Sequence, residues 1–383
     1  MSELLIGDLY RFQDLLGPEE SAVVERVRAF LAAEVVPIAN ECWARAEFPF
    51  QLIKGYADLG IAGRQHSSLL AGWLALEMAH ADPSMATFFG VHAGLAMGSI
   101  AECGSPEQRE RWLPGMARFE QIGAFGLTEP SGGSDVAAGL DTTARREGDE
   151  WVLNGAKRWI GNATFADLTV IWARDLADNQ VKGFVVGKDT PGFTATKIEN
   201  KIALRIVQNA DITLTDVRVS DADRLQNANT FKDTAKILRQ TRSGVAWQAV
   251  GVMLAAYEIA LAYAKEREQF GRPIGKFQLV QDLLVRMLGN LTGCLGMVVR
   301  LAQLQDRGEY RDEHSALAKA YCTTRMREVV GWARELLAGN GIVLEYDIGR
   351  FVADSEALYS YEGTREINTL IVGRAVTGLS AFV

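Results

Sequence analysis

GVAWQAVGVMLAAYEIALAYA, residues 244–264, is the most apolar run of the chain and decides how its last third folds. Large or small apolar residues recur along it every three or four positions, as on one face of an α-helix. They are Trp247, Val250, Leu254, Tyr257, Leu261 and Ala264. Because Gln248 and Glu258 interrupt the run, we expect a buried bundle helix rather than a membrane span.

A second helical stripe follows the first and extends the same pattern. It consists of Val280, Leu284, Met287, Leu291, Cys294, Val298 and Leu301. We expect two further helices over about residues 313–337 and 365–379. Continuous stripes of this length are typical of an antiparallel four-helix bundle, which we assign to residues 231–383.

The stretch before the bundle, residues 121–230, has a different pattern. Short apolar runs are separated by Gly, Thr, Asn and Asp, and in the last of them apolar and polar residues alternate. The runs are WVLNG, DLTVIWAR, GFVVGKD, GFTATKI and DITLTDVRV. Such runs, bounded by turn signals, predict a small antiparallel sheet or barrel. No helix-length pattern separates them, so a Rossmann fold is disfavoured.

The first 120 residues are again helical in pattern. Helical spacing is shown by Val24, Val27, Leu31 and Val35. LLAGWLALEMAHADPS predicts another helix, which should end near Asp82 because the residue before Pro83 is disfavoured in an α-helix. We therefore expect a mainly α protein with an inserted β-domain, divided into residues 1–120, 121–230 and 231–383. Junctions between such domains are concave, and ligand sites tend to lie there.

The composition is that of an ordinary globular protein. The chain has 383 residues and a mass of 41.9 kDa, with 48% apolar and 23% charged residues. These values exclude a mostly disordered chain, a collagen-like chain and a disulfide miniprotein. A net charge of −8 argues against non-specific binding to nucleic acid.

Cysteine and histidine usage bounds the chemistry further. The four cysteines form no CxxC pair and the four histidines no HExxH motif, so we expect reduced thiols and no metal site. The N-terminus lacks the layout of a signal peptide, and we expect a cytoplasmic protein without a membrane span.

Two segments of the β region are candidates for binding a flat ligand. GAFGLTEPSGGSD, residues 123–135, combines glycines that allow close backbone approach with the hydroxyls of Thr128 and Ser134. LNGAKRWIGNA, residues 153–163, contains Trp159, whose indole can pack against an aromatic ring. Taken alone, the first segment is more often an ordinary turn and the second a core tryptophan near a hairpin.

Two segments of the C-terminal region also carry candidate groups. AKEREQFGRPIGKFQ, residues 264–278, should end a long helix near Phe270. Its basic side chains form a positive spot suited to a pyrophosphate; they are Arg267, Arg272 and Lys276. Further on, GNG breaks a helix, and YEGT puts Glu362 in a short turn before the last helix, whose expected N-cap is Thr364. Taken alone, these features are more often a solvated turn and a carboxylate that interacts with a helix dipole.

Together these segments resemble the acyl-CoA dehydrogenase family. The motifs GLTEPxxGSD, KxWIxN, ERxxFGxPIxxFQ, LxGNG and YEGT occur in the family's order over about residues 120–380, and the upstream helices also fit. ADLTVIWARD, ARELLAGNGI and LIVGRAVTG are most similar to the glutaryl-CoA dehydrogenase-like branch. The resemblance implies a helical N-terminal domain, a β-domain and a C-terminal four-helix bundle, assembled as a homotetramer with non-covalent FAD. It also implies an acyl-CoA substrate and electron-transferring flavoprotein as electron acceptor.

The resemblance implies roles for individual residues as well. Glu362 matches the catalytic base. Positions around the flavin are matched by Phe125, Leu127, Thr128, Ser134, Trp159, Ile160, Gly161, Thr364 and Glu366. Segments that reach the FAD of a neighbouring subunit are matched by Arg267, Phe270, Gln278, Glu335 and Gly339. Positions near the acyl-CoA are matched by Ser134, Arg242 and Gly363.

The implied reaction removes a proton from the α carbon of a thioester and a hydride from the β carbon, giving a trans-2-enoyl-CoA. Because the α proton is weakly acidic, donors must stabilise the enolate charge and the base must be partly desolvated. In the family these donors are the backbone N–H of the base, here Glu362, and a ribityl hydroxyl of the flavin. Flavin N5 takes the hydride, because no side chain can accept one.

Three departures from the family pattern change the expectations. Glutaryl-CoA dehydrogenases have an arginine for the distal carboxylate where this chain has Ala86, followed by Thr87. That carboxylate would be buried unpaired, so we expect a monocarboxylic or other neutral acyl group and no decarboxylation. The segment LGIAGRQHSSLLAGW, around residues 60–72, is short for the family. Glu335 and Ala338 stand where many members have Gln and Gly. An acid there should weaken FAD binding, although the glutaryl branch also has an acid at that position.

Two alternatives stay open from the sequence. An acyl-CoA oxidase on the same scaffold would pass electrons to O₂, and the motifs do not separate it from a dehydrogenase. A non-catalytic relative that binds acyl-CoA or flavin would act as a scaffold, although the presence of Glu362 and of the flavin motifs counts against it.

Overall fold

The first part of the chain is a set of helices around one apolar core. The computed structural model describes residues 6–63, 66–136 and 139–381. The helices are α1 (Pro18–Phe30), α2 (Val36–Arg45), α3 (Leu52–Leu59), α4 (Ser68–Ala81), α5 (Pro83–Phe89), α6 (Met97–Cys103) and α7 (Pro106–Ala117). One π-helical segment, Leu31–Val35, joins α1 to α2, and another, Gly90–Ala96, joins α5 to α6. The helical spacing expected from Val24 to Val35 is confirmed, and the helical backbone continues through Pro37.

Local sequence sets the boundaries of these helices. Ser67 Oγ accepts from the backbone N–H of Leu70 at 3.0 Å and caps α4. Asp82 accepts from the N–H of Met85 at 2.8 Å and caps α5, whose first residue is Pro83. The predicted end of α4 beside Asp82 is therefore confirmed.

The middle of the chain forms one curled, seven-stranded sheet. The strands are β1 (Gly123–Gly126), β2 (Thr143–Glu147), β3 (Glu150–Ile160), β4 (Leu168–Asp175), β5 (Val181–Gly187), β6 (Phe193–Lys197) and β7 (Ala210–Ser220). Their order is β1-β4-β2-β3-β7-β6, with β5 also paired to β4. The expected antiparallel pairing is correct for four pairs, but β4 pairs with β1 and β2 in parallel. Those partners are distant in the chain, so local alternation does not predict their direction.

Long helices return after the sheet. They are α8 (Phe231–Glu266), α9 (Gln278–Asp306), α10 (Asp312–Leu336), α11 (Ile348–Ser360) and α12 (Arg365–Thr377). Helix α10 packs against α8, α9, α11 and α12, and α8 also packs against α4. A Cβ at Gly72 would lie 2.2 Å from Trp247 Cε2, so only glycine lets α4 and α8 approach this closely. This contact attaches the bundle to the N-terminal helices.

Two details of the bundle differ from the expectation. Helix α8 ends at Glu266 rather than near Phe270, because a short hairpin of β8 (Glu268–Gln269) and β9 (Arg272–Pro273) follows it. Helix α11 was not predicted at all. Its buried face carries Arg350 and Asp354, which interrupt the apolar stripe on which helix prediction depends.

By length and composition alone, three helical stretches are apolar enough to cross a membrane: Pro83–Cys103, Phe231–Glu266 and Gln278–Asp306. In the most apolar of them, Phe231–Glu266, 78% of the apolar window is buried within the protein. In Gln278–Asp306 only 33% is buried, and apolar side chains such as Leu279 are exposed.

Some expectations fall on residues outside the described ranges. They are the outermost ends of the first and last predicted domains, and residues 64 and 65 of the short segment 60–72. Within the described ranges, no group of three or more His, Cys, Asp and Glu side chains could hold a metal ion.

Candidate active site

Glu362 lies in a tight turn between α11 and α12. Ser360 ends α11, and Thr364 caps α12 by accepting from the N–H of Ile367 at 3.3 Å, as predicted. Glu362 and Gly363 both have left-handed backbone, with φ of 55° and 83°. This conformation is unfavourable for a glutamate, so contacts from the surrounding helices must hold it.

The carboxylate of Glu362 points at helix α8. Thr241 Oγ1 donates to Glu362 Oε2 at 2.8 Å. Arg242 lies beside the same turn, since a Cβ at Gly363 would be 3.8 Å from its Nε, and that Nε has no hydrogen-bond partner among the described residues. Burial raises the pKa of Glu362, while Thr241, Arg242 and Lys319 oppose the rise. The net effect leaves a carboxylate more basic than one in water.

Two side chains, from α10 and α12, hold the Glu362 turn by hydrogen bonds to its backbone carbonyls. Lys319 Nζ, on α10, donates to the carbonyls of Tyr359 at 2.9 Å and Gly363 at 2.6 Å. Asn368 Nδ2, on α12, donates to the same Gly363 carbonyl at 2.8 Å and to that of Thr364 at 3.0 Å.

A wall of uncharged polar groups lies next to Glu362. Tyr361 donates its hydroxyl to Gln248 Oε1 at 2.7 Å, and Thr87 Oγ1 lies 3.5 Å from the same hydroxyl. Thr87 and its neighbour Ala86 are both buried. Thr87 therefore meets the side chain of the residue that precedes Glu362, although the two are far apart in sequence.

The glycine-rich loop after β1 is held by a buried ion pair. Lys157 Nζ, on β3, donates to Glu129 Oε1 at 2.7 Å and to the carbonyl of Leu127 at 3.1 Å. A Cβ at Gly133 would lie 3.7 Å from Thr128 Cγ2, so the loop folds back on itself. Ser134 is exposed on this loop. Phe125 and Leu127 are buried, so what they offer a ligand is chiefly backbone.

Trp159 lies at the end of β3 in a left-handed conformation, with φ of 65°. Asn209 Nδ2 donates to its carbonyl at 3.1 Å and fixes that backbone. The indole is 51% exposed, whereas the following Ile160 is buried. An exposed indole next to the core offers a flat apolar surface to a ligand.

The π-helical segment Gly90–Ala96 connects the loop region to the Glu362 region. A Cβ at Gly161 would lie 3.1 Å from Val91 Cγ2, and one at Gly94 would lie 3.7 Å from Thr241 Cγ2. His92 in the same segment accepts from the N–H of Gly123 at 3.0 Å. Burial lowers the pKa of His92 to about 4, so it is a neutral structural link. The structure therefore brings the β3 turn, the start of β1 and the carboxylate around one segment.

A second group of predicted residues lies elsewhere. Arg267, Phe270 and Gln278 follow the C-terminal end of α8, roughly 39 Å along that helix from Thr241 at 1.5 Å per residue. The loop Ala338–Ile342 is near them, since Asn340 Nδ2 donates to the hydroxyl of Tyr263 at 3.0 Å. The members of this group are exposed: Arg267, Phe270, Gln278, Glu335 and Gly339. Within one chain, most of the length of α8 therefore separates Arg267, Phe270 and Gln278 from Thr241, which binds Glu362.

The remaining predicted residues lie at the Glu362 turn. Thr364 caps α12 and Glu366 is exposed in its first turn. Sequence reasoning missed Thr241, Gln248 and Lys319. For Lys319 a signal exists, because it shares the apolar stripe of α10 with core residues; they include Ala316, Met326 and Val330. Because lysine is rarely fully buried without a partner, a lysine at such a position predicts a specific interaction of its ammonium group.

The site can do two things chemically. A partly desolvated carboxylate can remove a weakly acidic proton. An exposed indole, with hydroxyls and open backbone on the neighbouring loop, can hold a flat heteroaromatic group. No side chain in it can accept a hydride, so any redox step needs a bound cofactor.

Comparison with known proteins covers nearly the whole chain. Family models describing the N-terminal, middle and C-terminal domains of acyl-CoA dehydrogenase match residues 17–120, 124–217 and 231–377. The mitochondrial short-chain specific acyl-CoA dehydrogenase of Mus musculus is 33% identical over 375 residues, which covers 94% of this chain and 91% of that protein.

Solved structures give the same picture. A glutaryl-CoA dehydrogenase from Mycobacterium smegmatis in complex with FADH2 is 34% identical, with a TM-score of 0.95 and 98% coverage of both chains. A chain in a structure of the electron transferring flavoprotein of Acidaminococcus fermentans is 28% identical, with a TM-score of 0.90 and coverage of 94% and 98%.

Proposed function

The chain belongs to the acyl-CoA dehydrogenase family and is an oxidoreductase of that family, and from this we propose its mechanism. Glu362 removes the α proton of an acyl-CoA thioester while the β hydride leaves, so that a trans-2-enoyl-CoA forms. The observation that carries the proposal is the environment of Glu362. Its carboxylate faces α8 from the α11–α12 turn and binds Thr241, and burial raises its pKa.

The charge that develops on the thioester oxygen needs donors. We assign the backbone N–H of Glu362 as one of them, because the left-handed turn directs successive backbone groups differently from a helix. Arg242 supplies positive charge beside the turn, where its buried Nε has no hydrogen-bond partner among the described residues. Thr241 donates to Glu362 and so orients the carboxylate.

The residues at the β3 turn fit FAD. The half-exposed indole of Trp159 suits a flat ring system, and the hydroxyls of Thr128 and Ser134 suit its polar edge. In this proposal the backbones of Phe125, Leu127, Ile160 and Gly161 would line the flavin, and Thr364 and Glu366 would approach it from the Glu362 side. When bound, FAD supplies the hydride acceptor that the side chains lack.

A homotetramer is part of the proposal, since one chain does not complete this cofactor site. Arg267, Phe270, Gln278, Glu335 and Gly339 would reach the FAD held by a neighbouring copy. Exposed apolar side chains on the C-terminal helices and the loops beside them support an interface there. They include Phe270 at 93% exposure, Leu279 at 82%, Ile342 at 71% and Val376 at 75%.

The acyl group is proposed to be uncharged at its far end. The polar side chains that the structure places beside Thr87 are the hydroxyl of Tyr361 and, hydrogen-bonded to it, the amide of Gln248, and neither carries a charge. A distal carboxylate at this wall would lose its hydration without gaining an ion pair. We therefore propose dehydrogenation without decarboxylation.

Electron-transferring flavoprotein is the proposed acceptor of the electrons, and O₂ is the alternative that an oxidase would use. The rate at which the reduced enzyme reacts with O₂ distinguishes an oxidase from a dehydrogenase. After anaerobic reduction by an acyl-CoA, an oxidase would form H₂O₂ rapidly on contact with air, whereas a dehydrogenase would stay reduced until the flavoprotein is added.

The test of the mechanism is Glu362→Gln. It keeps size and hydrogen bonding but removes the base, so turnover should fall by roughly 10²–10⁴-fold or more while FAD stays bound. Turnover is measured with a dye acceptor and FAD by its visible absorbance. The matched control is Glu356→Gln on the exposed side of α11, where Arg327 is the one ion-pair partner of the carboxylate among the described residues. Near-normal turnover of Glu362→Gln would remove Glu362 as the base.

The test of the acyl group compares two five-carbon substrates. Valeryl-CoA should bleach the bound flavin, whereas glutaryl-CoA should do so poorly and release no CO₂, because its second carboxylate meets an uncharged wall. Efficient turnover of glutaryl-CoA would contradict the proposed substrate class and leave the role of Glu362 untouched.

A further inference from the structure

Lys319 is fully buried on the core face of α10, where a lysine is costly. An ammonium group that loses its water must be compensated by acceptors or by an opposite charge. The described residues give it no carboxylate within ion-pair distance, in contrast to most other buried cations of the protein. Its hydrogen bonds go only to two backbone carbonyls, those of Tyr359 and Gly363.

These two carbonyls enclose the catalytic turn. Tyr359 belongs to the last turn of α11, and Gly363 follows Glu362 directly. Between them the backbone leaves the helix and becomes left-handed at Glu362 and Gly363. Asn368 supports only the downstream side, through Gly363 and Thr364. Lys319 is thus the contact that ties the helix end before Glu362 to the backbone after it.

We propose that Lys319 is a positioning residue for Glu362, holding its turn in the left-handed conformation and keeping the carboxylate ionised through its buried positive charge. The inference rests on the proposed role of Glu362 as the base. It adds a group on α10 that touches neither the substrate nor the cofactor and acts only through the turn.

The charged surroundings fit this role. Glu362 faces Thr241 and Arg242 from α8 and Lys319 from α10, and Lys319 in turn faces Arg242 from α8 and Glu366 from α12. Burial lowers the pKa of Lys319 to about 8, and the charge of Glu362 opposes that fall. Below pH 8 the ammonium is therefore present and favours the ionised form of Glu362.

The experiment is Lys319→Met, which keeps the length of the side chain but removes its charge and its donors. Since a displacement of about 1 Å can cost on the order of 10²-fold in rate, we expect kcat to fall about 10-fold to 10²-fold with little change in KM. Without the positive charge, Glu362 is harder to ionise, so the acidic limb of the pH–kcat/KM profile should move to higher pH.

The matched control is Lys201→Met. Lys201 is a largely buried lysine in the β-domain whose ammonium also binds backbone carbonyls, those of Leu204 and Val207, and whose pKa burial also lowers to about 8. Its loss should destabilise the protein but leave the acidic limb at its wild-type pH. An unmoved limb in folded Lys319→Met, or an equal movement in Lys201→Met, would overturn the proposal.

A second measurement, the pH dependence of stability, leaves Lys319 itself unchanged. In Glu362→Gln the charge of Lys319 loses its compensation, so its folded-state pKa should fall further below 10.5, the value expected in the unfolded chain. Stability rises with pH between these two values, so in Glu362→Gln the rise should begin at lower pH than in wild type. Equal onsets would contradict the coupling, whereas retained turnover in Glu362→Gln would instead refute the proposed function.

Discussion

Two buried lysines hold the two turns in which candidate site residues lie, one in the sheet and one in the bundle. Lys157 fixes the loop after β1 and Lys319 fixes the turn after α11. Burial lowers the pKa of each to about 8. They differ in their partners, because Lys157 touches the carboxylate of Glu129 at 2.7 Å whereas Lys319 touches only carbonyls.

The presence or absence of a direct ion pair with lysine sets the pKa of each carboxylate, Glu129 and Glu362, and so its strength as a base. Burial alone would raise the pKa of Glu129, but contact with Lys157 and hydrogen bonds from Thr142 lower it overall. Glu129 therefore stays ionised and is a poor base. The cations near Glu362 are Arg242 and Lys319, and neither forms an ion pair with its carboxylate among the described residues. The effect of burial is therefore the larger one, and the pKa of Glu362 is raised. A carboxylate in a direct ion pair, such as Glu129, serves a structural role. A buried carboxylate without a direct cation, such as Glu362, can still accept a proton.

The largest effect on stability should come from breaking the direct pair. Lys157→Met leaves Glu129 buried without its cation, and the free energy of unfolding should fall by about 3–5 kcal/mol. Denaturant titration followed by tryptophan fluorescence measures it. Lys188→Met is the control, because that lysine forms an exposed pair with Asp167 and should leave the unfolding midpoint unchanged. Equal midpoints for the two variants would break the comparison.

A smaller effect should come from Asp354, a buried carboxylate with no ion pair among the described residues. It accepts from Trp43 Nε1 at 2.8 Å and from the N–H of Leu204 at 2.6 Å, and so joins the three parts of the chain. Burial, followed by repulsion from Asp82, raises the pKa of Asp354 to about 7. As with Glu362, hydrogen bonds without a direct cation leave the pKa high.

The sign of the expected pH dependence follows from that shift. A folded-state pKa above the unfolded value of 3.8 gives stability that is present below pH 4 and is lost as the pH rises through 7. Asp354→Asn keeps an acceptor oxygen and does not titrate, so its unfolding free energy should fall less than that of wild type between pH 4 and 8. Parallel curves would show that Asp354 is ionised throughout without a direct cation, which would contradict the comparison.

Local patterns predicted much of the architecture. The three regions differ in hydrophobic period, and period depends only on neighbouring residues, so the order of helices, strands and helices was accessible. The end of α4 at Asp82 and the cap of α12 at Thr364 were likewise predictable, because caps and prolines act within a few residues. The parallel pairing of β1 with β4 was not, since it depends on where distant segments meet.

The candidate site shows the same division. Motifs identified Glu362, Trp159 and the glycine-rich loop as candidates, and the chemistry of a carboxylate or an indole can be read from the residue type alone. That one chain separates Arg267 from Glu362 by most of the length of α8 is a property of the folded helix.

The sequence by itself determined the fold class, the family and the residue types available for proton removal. Only the tertiary structure decided which of them act together: that Thr241 meets Glu362, that Tyr361 joins it to Thr87, and that Lys319 encloses its turn. The physical reason is the distance along the chain over which each effect acts. Periodicity and capping are properties of a few consecutive residues, whereas the basicity of a carboxylate depends on burial and on charges from helices far apart in the chain.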